Sequence, residues 1–279
     1  MKLGIALSGG GIRGIAHAGV LKALEENNIK VDIISGTSSG SIIACLYALG
    51  YSPYYIYILF KRYAKDICEL SGMPIISGVG SFIVNKKINI NGLNSGEKLE
   101  EAFNNLAIKK GIQSIGQIEM PLFIPTVDIS KSREFVFSSI KNEEYINDIE
   151  IGKAIHASSA FPVVFKPCEY KDHLFVDGGV LDNIPIKILK DNDADKVIAV
   201  RFDSDTVNKE SNIMDITMKT IDIMGNKLCD EHLEMSDFTL TIPSDGTGLL
   251  DVDKLDYCYK AGYNETMQQL ANIKSKLFK

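Results

Sequence analysis

The chain opens with one unit written twice: a short apolar run, a glycine-rich turn and a helix. Residues 2–7 form a mostly apolar run that stops at Ser8-Gly9-Gly10-Gly11, as expected of a strand buried on both faces. A helix over 12–27 follows, with Ile12, Ala16, Gly19, Val20, Ala23 and Leu24 at helical spacing. Ala16 and Gly19 are small enough for close packing onto a sheet. The second strand, 31–35, runs into Gly36-Thr37-Ser38-Ser39-Gly40, and residues 41–49 behind it are apolar nearly all round, as in a buried helix. Strands that alternate with helices pair in parallel through right-handed crossovers, so this opening implies an α/β fold with a parallel sheet wrapped by helices.

The rest of the chain extends the same pattern. Helices are expected over 51–65, 94–106, 151–158, 212–234 and 254–277, and strands over 121–127, 133–139, 169–170, 174–176, 196–202 and 238–242. Residues 71–91 are apolar and glycine-punctuated but fit neither period, and read as an irregular segment that could wall or cover a pocket. Neither repeats nor flexible linkers divide the chain, so one domain over 1–279 is expected.

A hydrophobic content of 45% supports a full core without staples, and a net charge of −6 argues against nucleic-acid partners. No apolar run reaches the length of a membrane-spanning helix, and the first apolar run is too short for a secretory leader. Five cysteines with no Cys-x-x-Cys fit a reducing compartment, so a cytoplasmic location is expected. Nothing in the sequence fixes an oligomeric state.

The two turns carry the chemistry. Gly9-Gly10-Gly11-Ile12-Arg13-Gly14 exposes backbone N–H groups at a helix start, where they and the helix dipole attract negative charge. That suits a dinucleotide site or an oxyanion hole. The dinucleotide reading also needs an acid at the end of the second strand, whereas Asp32 lies at its beginning. Gly36-Thr37-Ser38-Ser39-Gly40 has the form of a nucleophile elbow that would present Ser38; the plainer reading is an N-cap serine. Serine needs a base. A histidine triad would have to draw on His156 or His173, with Asp128 or Asp148 as the acid; His17 lies inside the first helix and His232 on a solvated-looking one. Asp177, closing the apolar run Phe175-Val176-Asp177 before Gly178-Gly179, is the better candidate, although Asp-Gly alone also marks a hairpin.

Taken together, Gly-Gly-Gly-Ile-Arg-Gly at 9–14, Gly-Thr-Ser-Ser-Gly at 36–40 and Asp-Gly-Gly at 177–179 resemble the patatin-like phospholipase family. Ala157-Ser158-Ser159-Ala160-Phe161-Pro162 and Asp182-Asn183-Ile184-Pro185 are similar to it as well, so the resemblance covers roughly residues 3–190. It implies a three-layer α/β/α sandwich and a lipid acyl hydrolase with a Ser–Asp dyad. Ser38 would be the nucleophile and Asp177 its base. The loop of Gly9, Gly10, Gly11, Ile12, Arg13 and Gly14 would be the oxyanion hole, and Gly36, Gly40, Gly178 and Gly179 would support the turns. Two positions depart from the pattern: His156 stands where relatives often carry Arg, and Val163 where many carry Gly.

The implied substrate is a lipid or other acyl ester, compatible with peripheral contact at a membrane. No cofactor is expected, nor a metal, since His-x-Glu and His-x-x-x-His spacings are absent. Apolar neighbours such as Phe175 and Val176 should raise the Asp177 pKa by desolvation. Arg13 is expected to brace its loop through a carboxylate rather than to hold a lipid phosphate.

Overall fold

The computed structural model describes residues 1–70, 95–162, 164–203 and 213–278. The expected irregular segment 71–91, Val163 and the expected helix start at 212 lie outside the described residues. In chain order the elements are β1 (Leu3–Leu7), α1 (Ile15–Glu26), β2 (Ile33–Gly36), α2 (Ser39–Ala48), α3 (Pro53–Leu70) and α4 (Glu97–Ile108). Next come β3 (Leu122–Asp128), β4 (Arg133–Ser138), β5 (Tyr145–Ile146), α5 (Ile151–Ser159), β6 (Cys168–Tyr170) and β7 (His173–Asp177). The chain closes with α6 (Lys187–Asp191), β8 (Lys196–Phe202), α7 (Ile213–Leu233), β9 (Phe238–Ile242), α8 (Leu255–Gln268) and α9 (Leu270–Leu277).

The strands form one mixed sheet in the order β5-β4-β3-β2-β1-β8-β9, with β6 and β7 attached beside β3. From β9 through β8, β1 and β2 to β3 every neighbour is parallel, as the alternating pattern requires. Alternation along the strands feeds two cores. Ile5 and Leu7 of β1 and Ile198 and Val200 of β8 join the cluster under α1, α2, α5 and α8. Ala6, Val197 and Ala199 face the other way, onto Leu189 of α6 and Cys229 of α7. The result is a three-layer α/β/α sandwich.

The length of β3 sets up the site. It extends past its neighbour β2, which pairs only with Leu122 and Phe123. β4 occupies the full other edge of β3, from Phe123 to Asp128. The seat beyond β2 is taken by β7, antiparallel, with Thr126 opposite Asp177. The outgoing end of β2 and the end of β7 therefore meet head to head along one edge of β3.

Several elements differ from the sequence-based expectation for local physical reasons. The first helix begins as a 3-10 turn over Gly11–Gly14 and becomes α-helical only at Ile15. Gly19 packs on a helix rather than the sheet: a Cβ there would strike the Tyr259 carbonyl of α8, and one on Gly262 would strike that of Ala16. The last helix breaks at Gln269 into α8 and α9. The two-residue β5 and five-residue α6 are too short for periodicity to reveal. Cys45, Cys168, Cys229 and Cys258 are buried free thiols. Among the described residues no helix is long and apolar enough to cross a membrane.

Candidate active site

Ser38 sits in the turn between β2 and α2 with φ 53° and ψ −123°, a conformation that costs a non-glycine residue on the order of 1–3 kcal/mol. The surroundings hold it there. The Ser38 N–H donates to Ser158 Oγ at 3.1 Å, and that hydroxyl donates to the Pro125 carbonyl at 2.7 Å. Ser41 Oγ donates a hydrogen bond to the Ser38 carbonyl at 2.6 Å. The turn lies directly on β1: a Cβ on Gly40 would collide with the Leu7 carbonyl, which is why only glycine serves at that position.

Asp177 ends β7 and faces the same cavity as Ser38. Its side chain is 1% exposed. Oδ1 accepts the Gly179 N–H at 2.8 Å, and the Asp177 N–H donates to the Ala160 carbonyl at 3.1 Å. Burial pushes the carboxyl pKa up to about 6, against the opposing pull of the Ser38 hydroxyl and the Gly179 amide. Ser38 is thus close enough to act on the acidity of Asp177, yet Oδ2 completes no hydrogen bond of full geometry among the described residues. We read this as an open, poised contact, since such bonds commonly tighten only when substrate is bound.

Gly9, Gly10, Gly11 and Ile12 of the glycine loop line the same cavity. Of the residues expected to supply donors, three have their amides engaged: Gly9 N–H with the Asn183 carbonyl at 3.2 Å, Ile12 N–H with the Leu249 carbonyl at 2.9 Å and Arg13 N–H with the Gly10 carbonyl at 3.2 Å. Among the described residues the amides of Gly10 and Gly11 carry no such bond, nor does that of Ser39 at the start of α2. The candidate oxyanion donors therefore narrow to Gly10, Gly11 and Ser39. Gly11 has φ +59° and lies against the Leu249 carbonyl, so a side chain there would be strained and would also collide. Gly14 backs onto the Ser39 side chain, Gly36 onto the Gly40 carbonyl and Gly178 onto the Pro125 carbonyl. Gly179 supplies the amide to Asp177.

Arg13 braces the loop: its Nε donates to the Gly10 carbonyl at 3.2 Å and its guanidinium lies 5.2 Å from the centroid of Phe202. His17, 0% exposed, donates from Nε2 to the Ser8 carbonyl at 2.8 Å, and burial lowers its pKa to about 4, so it is neutral near pH 7. Its ring also meets Phe202, at 5.1 Å between centroids. The supporting roles of His17 and Ser158 escape a reading of the sequence; the available signal is their proximity to the motifs.

Among the described residues no histidine lines the cavity. His173 does pair with Asp128, Nδ1 to Oδ2 at 2.7 Å, but its Nε2 lies 3.4 Å from Asp172 Oδ1 and the residue does not line the cavity that holds Ser38. His156 pairs with Glu100 at 2.6 Å. The triad reading therefore lacks its base. The dinucleotide reading lacks its acid, because Asp32 accepts the Leu3 N–H at the far end of the strands. Glu100, His156 and Cys168 bring one oxygen, one nitrogen and one sulfur within 4.8 Å of one another. The Lys153 ammonium already neutralises Glu100 at 3.2 Å, and burial pushes the Cys168 thiol up to about 12, so this donor set suits an ion pair better than a cation. Much of the remaining cavity wall is apolar, from Ile42, Phe60, Phe161, Phe165 and Leu250, with Tyr63, Ser159 and Asn183 among them.

Comparison with known proteins places this site in a family. The family model described as patatin-like phospholipase matches residues 5–190. The probable lipid hydrolase 463L of Invertebrate iridescent virus 6 is 30% identical over 188 residues, covering 66% of this chain and 62% of that protein. The lysophospholipase NTE1 of Candida albicans is 28% identical over 303 residues, covering 98% of this chain and 20% of that protein. The chain thus spans under two thirds of the viral protein and a fifth of the fungal one. In fold it is similar to VipD from Legionella pneumophila, with a TM-score of 0.52 at 16% identity over 97% of this chain and 67% of that one. It is also similar to the type III effector protein ExoU, with a TM-score of 0.50 at 18% identity over 96% of this chain and 53% of that one. With its motifs gathered around one cavity and two thirds of its length matched, the chain belongs to the patatin-like phospholipase family.

Proposed function

We infer that this protein is a lipid acyl hydrolase of the phospholipase A or lysophospholipase type, acting on carboxylic esters through an acyl-serine intermediate on Ser38. The observation that carries the inference is the buried, unpartnered Oδ2 of Asp177 in the same cavity as a strained serine and unengaged amides. Asp177 takes the Ser38 proton as Oγ attacks the ester carbonyl. The oxyanion forms under Gly10, Gly11 and Ser39, where each donor is worth about 2.7–4 kcal/mol by mutagenesis precedent. Asp177 then returns the proton to the departing alcohol. Water repeats the sequence to release the carboxylic acid and regenerate Ser38.

A carboxylate at its ordinary pKa near 3.9 is a weak base for a serine proton. A pKa of about 6 narrows that gap while leaving Asp177 mostly ionised at pH 7. The apolar wall suits an acyl chain. The test is hydrolysis of a lipid panel, with released fatty acids followed by mass spectrometry in wild type beside Ser38→Ala. The expected result is fatty acid release by wild type and none above background by the variant. Equal release by both would refute the assignment.

A further inference from the structure

Hydrolysis of an acyl-serine needs a water held beside Asp177, and one side chain in the cavity is placed to hold it. Asn183 lines the cavity and is 7% exposed. Its main chain is engaged on both sides: the N–H donates to Cys229 Sγ at 3.1 Å, and the carbonyl accepts the Gly9 N–H at 3.2 Å. Its Nδ2 donates to Asn226 Oδ1 of α7 at 2.9 Å, which turns Oδ1 the other way. That oxygen sits between the glycine loop and the turn after Asp177. A Cβ on Gly9 would lie 2.5 Å from it and 3.2 Å from Ser38 Cβ. A Cβ on Gly179 would lie 3.0 Å from it and 3.0 Å from Asp177 Oδ1. Asn183 Oδ1 and Asp177 Oδ1 are therefore within about two hydrogen-bond lengths of each other.

Among the described residues Asn183 Oδ1 accepts no hydrogen bond. It is also not sealed from solvent, as the hydroxyl oxygens of Ser39 and Ser159 in the same cavity are, so a water can reach it. A water that attacks an ester gives up one hydrogen to the base and has a second one to place. We propose that Asn183 is a further catalytic residue, whose Oδ1 accepts one hydrogen of the deacylating water while the Asp177 carboxylate takes the other. A side-chain amide oxygen only accepts, so the water presents both hydrogens to the protein and a lone pair to the acyl carbonyl. The water oxygen bonds to the carbonyl carbon, the bond from that carbon to Ser38 Oγ breaks, and the proton taken by Asp177 passes to Oγ. Asn183 exchanges no proton and orients the nucleophile. This inference rests on the hydrolase reading above and concerns its second half.

The test uses methanol, whose single O–H hydrogen goes to Asp177 without calling on Asn183. A p-nitrophenyl acyl ester is turned over in buffer of fixed methanol content, and the fatty acid and its methyl ester are quantified by mass spectrometry. Both products leave the same acyl-serine, so their ratio does not depend on how fast that intermediate forms. Asn183→Leu, close in size but without an acceptor, should raise the ratio of methyl ester to acid about tenfold over wild type, the weight of one hydrogen bond. Asn226→Ala, which releases the amide and leaves residue 183 in place, should raise it less, and it carries the test should Asn183→Leu fail to fold. A merely structural asparagine would slow both products alike, so an unchanged ratio in the folded variants would overturn the proposal. Wild type that releases neither product would instead refute the hydrolase reading, and this proposal with it.

Discussion

Two aspartates buried on adjacent strands have opposite characters. Asp128 ends β3 and Asp177 ends β7, the two strands pair, and their side chains are 0% and 1% exposed. Burial pushes both carboxyls up. At Asp128 this is outweighed by hydrogen bonds from the Ser130 hydroxyl, His173 and the Ser130 and Leu174 amides, and the pKa falls to about 2. At Asp177 only the Ser38 hydroxyl and the Gly179 amide oppose burial, and the pKa stays at about 6. Two acids equally hidden from solvent thus titrate on opposite sides of the ordinary carboxylate value. Asp177 is the more deeply desolvated and the less well supplied with donors, and both differences hold its pKa up.

The sharpest way to break this contrast is to neutralise each acid in turn. Asp177→Asn should lower hydrolysis of a p-nitrophenyl acyl ester by about 10²–10⁴-fold, the usual contribution of a general base. Asp128→Asn should leave the rate per folded molecule within about twofold. A comparable loss of rate in both variants would erase the distinction.

Stability should move in opposite directions. A raised folded pKa contributes stability below about pH 4 that is lost as pH rises through about 6, so ionised Asp177 is destabilising at neutral pH. Asp177→Asn should therefore be more stable than wild type at pH 8, by up to about 3 kcal/mol for a pKa raised from 3.8 to about 6, with the gain fading by about pH 4. A depressed folded pKa contributes stability above about pH 4 that is lost as pH falls through about 2. Asp128→Asn should lose on the order of 2 kcal/mol at pH 7, and the deficit should shrink toward about pH 2. Denaturant titrations at these pH values measure both.

The smallest expected effect concerns what holds Ser38 in its strained turn. Ser158→Ala removes the acceptor of the Ser38 amide and should reduce kcat about tenfold with KM little changed, read from steady-state kinetics. An unchanged kcat would mean that packing alone maintains the strained turn.

The sequence exposed the parts of this arrangement that are local. The apolar runs of β1, β2 and β8, the glycine turns and the Asp-Gly-Gly at the end of β7 are all contiguous, so period and turn chemistry reveal them. The three-layer α/β/α sandwich followed from their order and from family resemblance. What stayed hidden depends on contacts distant in the chain. Ile12 reads as an oxyanion donor until the Leu249 carbonyl takes its amide. His173 and Asp128 read as triad members and do pair with each other, but neither lines the cavity that holds Ser38. Arg13 finds Phe202, which no local spacing indicates. Ser158 and Ser159 are neighbours of one residue type, and only the helix end on which they sit separates an anchored hydroxyl from an orphaned one.

The most direct test is the pH dependence of Ser38 labelling by a fluorophosphonate, followed from about pH 4.5 to about pH 8 in wild type and Asp177→Asn. In wild type the rate should rise through a single ionisation near pH 6 and then level off. In Asp177→Asn it should be slower by about a hundredfold or more and lack that step. Labelling of Asp177→Asn at the wild-type rate with the same ionisation would contradict the assignment of Asp177 as the base.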